Sequence, residues 1–307
     1  MLKAVILAAG KGTRLYPLTR RIAKPLLPLV NRTTLLYAFD RLKELNVQEI
    51  CIVVGENEIS IRQALGDGSA HGVKLSYVRQ LDPHGLAHAV GFAKEFVAGD
   101  PFVLYLGDAI YDTSLANIAA TFMERGCANL SLVKWVEDPR RYGVAVLDGD
   151  SIVRLVEKPE NPESNWVMAG VYFFGPQLWH VLPDLKPSAR GEYEITDAIQ
   201  MLIDRGQFVQ AGRYEGVWFD TGTLDSFLET STFLAKGRNV LAGTVTGAIG
   251  ANVIVGDEAT VACGSIEDTV VMPGSRIHGS ARIKHCILAG ELTLDGDVTD
   301  EILDGGA

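Results

Sequence analysis

Apolar residues fall into three patterns along the chain. The first is the continuous run. KAVILA at 3–8, EICIVVG at 49–55 and PFVLYLGD at 101–108 are apolar through most of their length, as strands buried on both faces of a parallel sheet are. KLSYV at 74–78 reads as a further strand. The second pattern is helical spacing. TTLLYAFDRLKELN puts Leu35, Leu36, Phe39, Leu42 and Leu45 on one face, with Thr33 or Thr34 as N-cap. GLAHAVGFAKEFV, EITDAIQMLIDRG and TLDSFLETSTFLAKG read as helices too. Repeated strand–helix–strand succession predicts an α/β domain with a mainly parallel mixed sheet over residues 1–238. Within it, Val144, Val146, Ile152, Val153 and Leu155 flank DGD and predict a hairpin, and VMAGVYFFG predicts another strand.

The third pattern begins near residue 239, where helical periodicity stops. Ile249, Val255 and Val261 stand six apart, with Gly250 and Gly256 after the first two; past a shift, Val271, Ile277 and Ile283 are again six apart. A hexapeptide period predicts a short left-handed β-helix over 239–307, three strands to a turn. A small irregular sandwich is the alternative. So few coils leave an open end that needs a cap or a partner, which points to a homo-oligomer.

Composition narrows the function. At 307 residues the chain is long for one core. No apolar run reaches the roughly 18 residues of a membrane helix, and the N-terminus enters a strand pattern directly, without a signal-peptide pattern. Cys51, Cys127, Cys263 and Cys286 form no CxxC pair and read as buried thiols of a cytoplasmic protein. The net charge of −10 argues against nucleic-acid or anionic-membrane partners. A phosphate ligand therefore needs cations gathered locally. Such a gathering follows the first strand, where Gly10 and Gly12 sit among Lys11, Arg14, Arg20 and Lys24. Glycines let backbone N–H groups approach an anion that the cations neutralise. The loop lacks Walker spacing, and Leu15 replaces the third glycine of a dinucleotide fingerprint. An ordinary turn with solvated charges is the plain alternative.

The loop LAAGKGTRLYPLT with AKPLLPL resembles the signature of the sugar-1-phosphate nucleotidyltransferases. LGDGSAHGVKLSYVRQLDPHGLAHAV, YLGDAIYD, RYGVAVLD, VEKPENPESNWVMAGVYFF, LKPSARGEYEITD and WFDTGT then follow in the order seen in glucose-1-phosphate thymidylyltransferases. The likeness covers residues 1 to about 235. It implies a Rossmann-like nucleotide-diphospho-sugar transferase domain that joins dTTP, or UTP, to a sugar 1-phosphate and releases pyrophosphate. It places Mg²⁺ on Asp108 and Asp220, carboxylates in strand-end motifs, which suit a hard cation. It places the triphosphate on Arg14 and Lys24, with Gly10, Gly12 and Thr13 in the loop and Leu7 and Ala8 beside the base. Gln80, with donor and acceptor, and Gly85 are the base readers. Lys158 and Arg190 match sugar-phosphate positions, and Glu157, Glu192 and Gly143 sugar positions, with Tyr142 shaping that pocket. Glu157 and Lys158 face opposite sides of a strand unless it ends there, as Pro159 suggests. His84 and His88 read as packing residues.

The chain departs from short thymidylyltransferases at Pro25, Ala109 and Ala169, where Gln, Asn and Thr are common. The competing readings are a nucleotidyltransferase with another substrate pair, a non-catalytic regulatory or scaffold subunit, and a nicotinamide dehydrogenase. Retention of Arg14, Lys24, Asp108 and Asp220 weighs against the scaffold, and the missing glycine against the dehydrogenase.

Overall fold

The continuous apolar runs become the parallel half of a nine-stranded sheet. The structure is a computed structural model and describes residues 2–306. The strands are β1 (Lys3–Leu7), β2 (Glu49–Val54), β3 (Lys74–Arg79), β4 (Phe102–Leu106), β5 (Asn129–Trp135), β6 (Gly143–Asp148), β7 (Ser151–Glu157), β8 (Trp166–Phe174) and β9 (Val209–Arg213), in the order β3-β2-β1-β4-β8-β5-β9-β7-β6. β1 pairs in parallel with β2 and β4, and β2 with β3. Both faces of β1, β2 and β4 are covered, and Ala4, Val5, Ile6 and Ile50 through Val54 have no exposure, while β3 at the sheet edge exposes Lys74 and Arg79. β8 runs antiparallel between β4 and β5, β9 lies parallel to β5, and the sheet is therefore mixed. The DGD signal marks a true hairpin: Asp148 faces Ser151, and Gly149 turns with φ 57°.

Helices α1 (Thr34–Glu44), α2 (Leu86–Gly91), α3 (Ile195–Asp204) and α4 (Leu224–Leu234) match the helical spacings. The helix expected over GLAHAVGFAKEFV stops at Gly91, and a separate turn covers Lys94–Val97. Glycine is a poor helix former, costing about 1 kcal/mol relative to alanine, and stands at the break.

Contacts divide the chain into two compact units that do not follow sequence order. Residues 2–10 and 38–218 form the first; 11–37 and 219–306 form the second. The second unit contains a parallel coil in which three aliphatic ladders run through successive turns. They are Val245–Val261–Ile277–Leu292, Ile249–Ile266–Ile283–Val298 and Leu241–Val255–Val271–Leu288–Leu303. Each six-spaced triplet in the sequence is one turn, its three residues on three different ladders. The turns run short of three full hexapeptides: Val261 follows Val245 by 16 positions, Ile266 follows Ile249 by 17 and Leu303 follows Leu288 by 15. Slips to five-residue spacing carry Ile266 into its ladder between the two triplets and Leu288 into its ladder after the second. Val255, Val261, Ile266, Val271, Ile277, Ile283 and Leu288 are buried, while Ile249 at the first turn is 40% exposed.

The coil is joined to the rest of its unit by polar contacts. Thr223 caps α4, its Oγ1 accepting from Ser226 N while Ser226 Oγ accepts from Thr223 N. From the first turn of α4, Asp225 Oδ1 lies 3.0 Å from His285 Nε2, and Asp268 Oδ2 lies 2.5 Å from His285 Nδ1. In the loop segment, Arg21 Nη1 donates to Asp304 Oδ1 at 2.5 Å, which ties residues 11–37 to the last turn of the coil.

Two predictions follow from this packing. Ile277→Ala, which empties a wholly buried ladder position, should cost about 2–5 kcal/mol in denaturant unfolding. The hydrogen bonds to Asp225 and then Asp268 raise the His285 pKa. A folded-state pKa above the unfolded value gives stability that is complete below about pH 6.5 and lost as pH rises through the folded value. His285→Gln should therefore lower the melting temperature more at pH 6 than at pH 9; equal losses at both would refute the charged bridge.

Candidate active site

In the first unit, the ends of β1 and β4 are held side by side. Gly107 N donates to Leu7 O at 3.1 Å, Ala8 N to Val53 O at 2.9 Å, and Asn57 Nδ2 to Ala8 O at 2.9 Å. Gly55 presses so close that a Cβ there would stand 2.8 Å from Ala9 O. The chain emerges from this clamp at Gly10, which is exposed and has nothing within 4 Å of a notional side chain. Asp108 follows β4 by two residues and is half-buried, at the C-terminal end of a parallel strand where α/β sheets bind ligands.

Gln80 directly follows β3. Its backbone N donates to Val54 O, its side chain is buried, and its Nε2 lies 2.9 Å from His88 Nδ1. Gly85 adopts φ +103°, and a Cβ there would meet Tyr193 O at 2.5 Å. Only glycine fits, because the two backbones are zipped together: Tyr193 N donates to His84 O, and Ala87 N donates to Tyr193 O. This joins the turn at 80–88 to the segment at 192–196, a juxtaposition with no sequence signal.

Glu157 ends β7, and Lys158 takes φ +43°, in the left-handed region, with its N donating to Tyr142 O. The strand thus ends where Pro159 suggested, and the alternation of facing directions ends with it. Arg190 Nη1 lies 3.2 Å from Glu194 Oε1 and 3.5 Å from Glu157 Oε1, and Arg190 Nη2 lies 3.5 Å from Glu192 Oε1. Lys158 Nζ lies 3.5 Å from Glu157 Oε1. Thr196 Oγ1 donates to Glu157 Oε2 at 3.1 Å, and a Cβ at Gly143 would collide with Thr196 Cγ2 at 2.5 Å. Lys158, Glu157, Arg190, Glu192 and Gly143 therefore share one neighbourhood. Sequence reasoning missed Glu194 and Thr196. Glu194 holds the N-cap position of α3 but turns its carboxylate to Ser188 and Arg190. Burial, and then the nearby Glu157 charge, raise the Glu194 pKa; the same two causes raise that of Asp197. Ala169 is wholly buried and its carbonyl accepts from Tyr111.

In the second unit, Gly12 turns with φ +64°, and Thr19 Oγ1 donates to its carbonyl at 2.8 Å. Lys24 lies along Gly12: a Cβ at Gly12 would sit 3.0 Å from Lys24 Cβ and 3.3 Å from its Cδ. The lysine reaches Asp220, with Nζ 4.0 Å from Oδ1. A Cβ at Gly222 would stand 2.6 Å from Arg14 Nη2 and 2.9 Å from Asp220 Oδ1. Arg14, Lys24 and Asp220 thus meet around two bare glycine backbones. Thr13 and Arg14 are exposed, and the Asp220 side chain is one-third exposed. Gly222 was missed as a site residue, although it stands in the WFDTGT motif. Among the described residues no three His, Cys, Asp or Glu side chains form a metal cluster. Mg²⁺ does not need one, because it takes one or two carboxylates and completes its shell with water and phosphate oxygens. The half-exposed carboxylates of Asp108 and Asp220 are donors of that kind.

Among the described residues, no helix is long and apolar enough to cross a membrane. The nucleotidyl transferase family model matches residues 3–237. The glucose-1-phosphate thymidylyltransferase of Streptomyces antibioticus is 40% identical over 282 residues, covering 91% of this chain and 75% of that protein. A solved Bacillus anthracis structure, described as a glucose-1-phosphate thymidylyltransferase, superposes with a TM-score of 0.72 at 33% identity, over 76% of this chain and 95% of that one. A UDP-glucose pyrophosphorylase solved with UDP-glucose gives 0.71 at 27% identity, over 77% of this chain and 99% of that one. With its parallel strand ends, its glycine-lined cationic loop and these likenesses, the chain belongs to the nucleotidyl transferase family.

Proposed function

We propose that this enzyme transfers the thymidylyl group of dTTP to glucose 1-phosphate, forming dTDP-glucose and pyrophosphate. The observation that carries the reading is the meeting of Arg14, Lys24 and Asp220 around Gly12 and Gly222. Two cations beside a carboxylate, over backbone without side chains, suit a polyphosphate and its counter-ion.

The nucleophile needs no activating base. A phosphate monoester carries nearly two negative charges at pH 7, its second pKa being about 6. An oxygen of glucose 1-phosphate attacks the α-phosphorus of dTTP, and the bond from that phosphorus to the oxygen bridging the β-phosphorus breaks. The electron pair leaves with pyrophosphate. The barrier is repulsion between anions and their alignment in line. Arg14 and Lys24 stabilise the triphosphate and the charge that builds on pyrophosphate, with Gly10, Gly12 and Thr13 offering backbone donors. Lys158 and Arg190 hold the sugar phosphate. Glu157 and Glu192 accept from sugar hydroxyls beside Gly143 and Tyr142. Gln80 and Gly85 read the base, with Leu7 and Ala8 against its face. Asp108 and Asp220 would hold Mg²⁺, which when bound neutralises phosphate charge.

The likeness to the thymidylyltransferases supports dTTP and glucose 1-phosphate as the substrate pair. A methyl group in an apolar pocket is worth only about 1–3 kcal/mol, so UTP should be a weaker second substrate. Residues 1–238 are the catalytic part in this reading. Residues 239–307 form a left-handed β-helix whose open first turn, with Ile249 exposed, supports a homo-oligomer. In this reading the enzyme is cytoplasmic.

A pyrophosphate-release panel of nucleoside triphosphates and sugar 1-phosphates should give its strongest signal with dTTP and glucose 1-phosphate. A dominant signal from any other pair would overturn the substrate assignment. Arg14→Ala should lower kcat/KM by about 10²-fold or more. Gly222→Ala pushes the guanidinium of Arg14 aside and should cost about tenfold through that displacement, with an unchanged melting temperature. Near wild-type kcat/KM in both variants would remove Arg14 from the mechanism.

A further inference from the structure

The hydrogen bond between Gln80 and His88 is the observation that the reaction does not by itself require. Among the described residues it is the one side-chain hydrogen bond that Gln80 makes. The amide nitrogen faces the ring, so the ring nitrogen Nδ1 must accept. That requires a neutral imidazole with its proton on Nε2. His88 is held in this attitude by its neighbours. Its ring stacks on Tyr193 at 6.1 Å and meets the edges of His84 at 5.2 Å and Phe92 at 5.1 Å. Tyr193 is in turn zipped to the Gly85 turn by two backbone hydrogen bonds.

We propose that His88 is a positioning residue: by accepting one N–H of Gln80, it fixes which way the amide faces and so selects bases with an imide edge over cytosine. The proposal rests on the assignment of Gln80 as base reader. Thymine and uracil present an N3–H donor beside an O4 acceptor. Cytosine presents an N3 acceptor beside an N4 amino donor. A primary amide matches either edge, because a half-turn about its last torsion exchanges oxygen and nitrogen. His88 removes that freedom. With one N–H engaged by Nδ1, the other N–H and the carbonyl oxygen are presented in a single order, the one an imide complements. The half-turn would aim the Gln80 oxygen at the Nδ1 lone pair, losing a hydrogen bond and adding repulsion.

Acid should weaken the preference. A protonated His88 donates from Nδ1 and therefore draws the amide oxygen, which presents the opposite order to the base. Partial burial and the neighbouring His84 lower the His88 pKa, while Asp82 opposes them. Tyr193 and Phe92 complete its surroundings. The neutral, accepting form therefore holds at neutral pH, and the exchange belongs below about pH 6.5.

The test is the ratio of kcat/KM for dTTP to that for dCTP, measured on the full chain with glucose 1-phosphate and Mg²⁺ from pH 5.5 to 8. Taking a ratio at each pH cancels acid effects on the phosphates and on the rest of the site. In the wild type the ratio should fall as the pH is lowered from 8 towards 5.5. His88→Phe keeps a ring but no acceptor, and should lower the ratio at least tenfold at pH 8. His88→Asn places an untitratable carbonyl oxygen near the position of Nδ1; it should keep the ratio and abolish its pH dependence. A ratio in His88→Phe within twofold of wild type overturns the role. Gln80→Leu distinguishes a failure of His88 from a failure of Gln80. If it collapses the ratio while His88→Phe does not, His88 alone is misassigned. If Gln80→Leu leaves the ratio intact, the base-reading assignment fails and the inference falls with it. His88→Leu, which also removes the acceptor, decides the matter by the same ratio if His88→Phe fails to fold.

Discussion

A guanidinium and an ammonium must be held next to a carboxylate without being neutralised by it, and much of the second unit's construction serves that constraint. Glycine is the means. Lys24 lies along Gly12, and the Arg14 guanidinium and Asp220 crowd the space that a side chain at Gly222 would fill. The 4.0 Å separation of Lys24 Nζ from Asp220 Oδ1 is at the outer limit of an ion pair. Such a pair is loose enough to admit phosphate oxygens as competing partners. The same unit carries the parallel coil, whose last turn anchors the loop segment through Arg21 and Asp304. The coil therefore has a local role in holding the cationic loop, apart from any role in assembly.

The charged cluster around Arg190 in the first unit solves a related problem by the opposite means. Arg190 is surrounded by Glu157, Glu192 and Glu194, and Lys158 adjoins Glu157. The carboxylates hold the two cations in fixed positions. Burial and mutual repulsion raise the pKa values of Glu194 and Asp197, which marks the cluster as charge held close together under partial desolvation.

Much was legible in the sequence because the physics was local. Short uninterrupted apolar runs rich in β-branched residues suit strands covered on both faces, and they form the parallel strands β1, β2 and β4. The DGD turn, the strand end before Pro159 and the two six-spaced triplets of the coil were visible for the same reason. Each depends on residues adjacent in the chain. Gly12, Asp108 and Asp220 stand out in the sequence because their motifs combine a strand end with a loop.

What only the tertiary structure decided depends on residues far apart in sequence. Gly85 must be glycine because Tyr193 passes over it, and Gly222 is crowded because Arg14 lies against it. Neither constraint leaves a local trace. The five-residue slips that bring Ile266 and Leu288 into the ladders follow from register between turns. His88 looked like a packing residue because a histidine in a short helix is usually one; its bond to Gln80 exists because β3 ends opposite the start of α2. The sequence by itself determined the elements, the strand-end carboxylates and the cationic loop, since each is written in neighbouring residues. The fold alone decided which side chains meet, and so which way the amide of Gln80 faces.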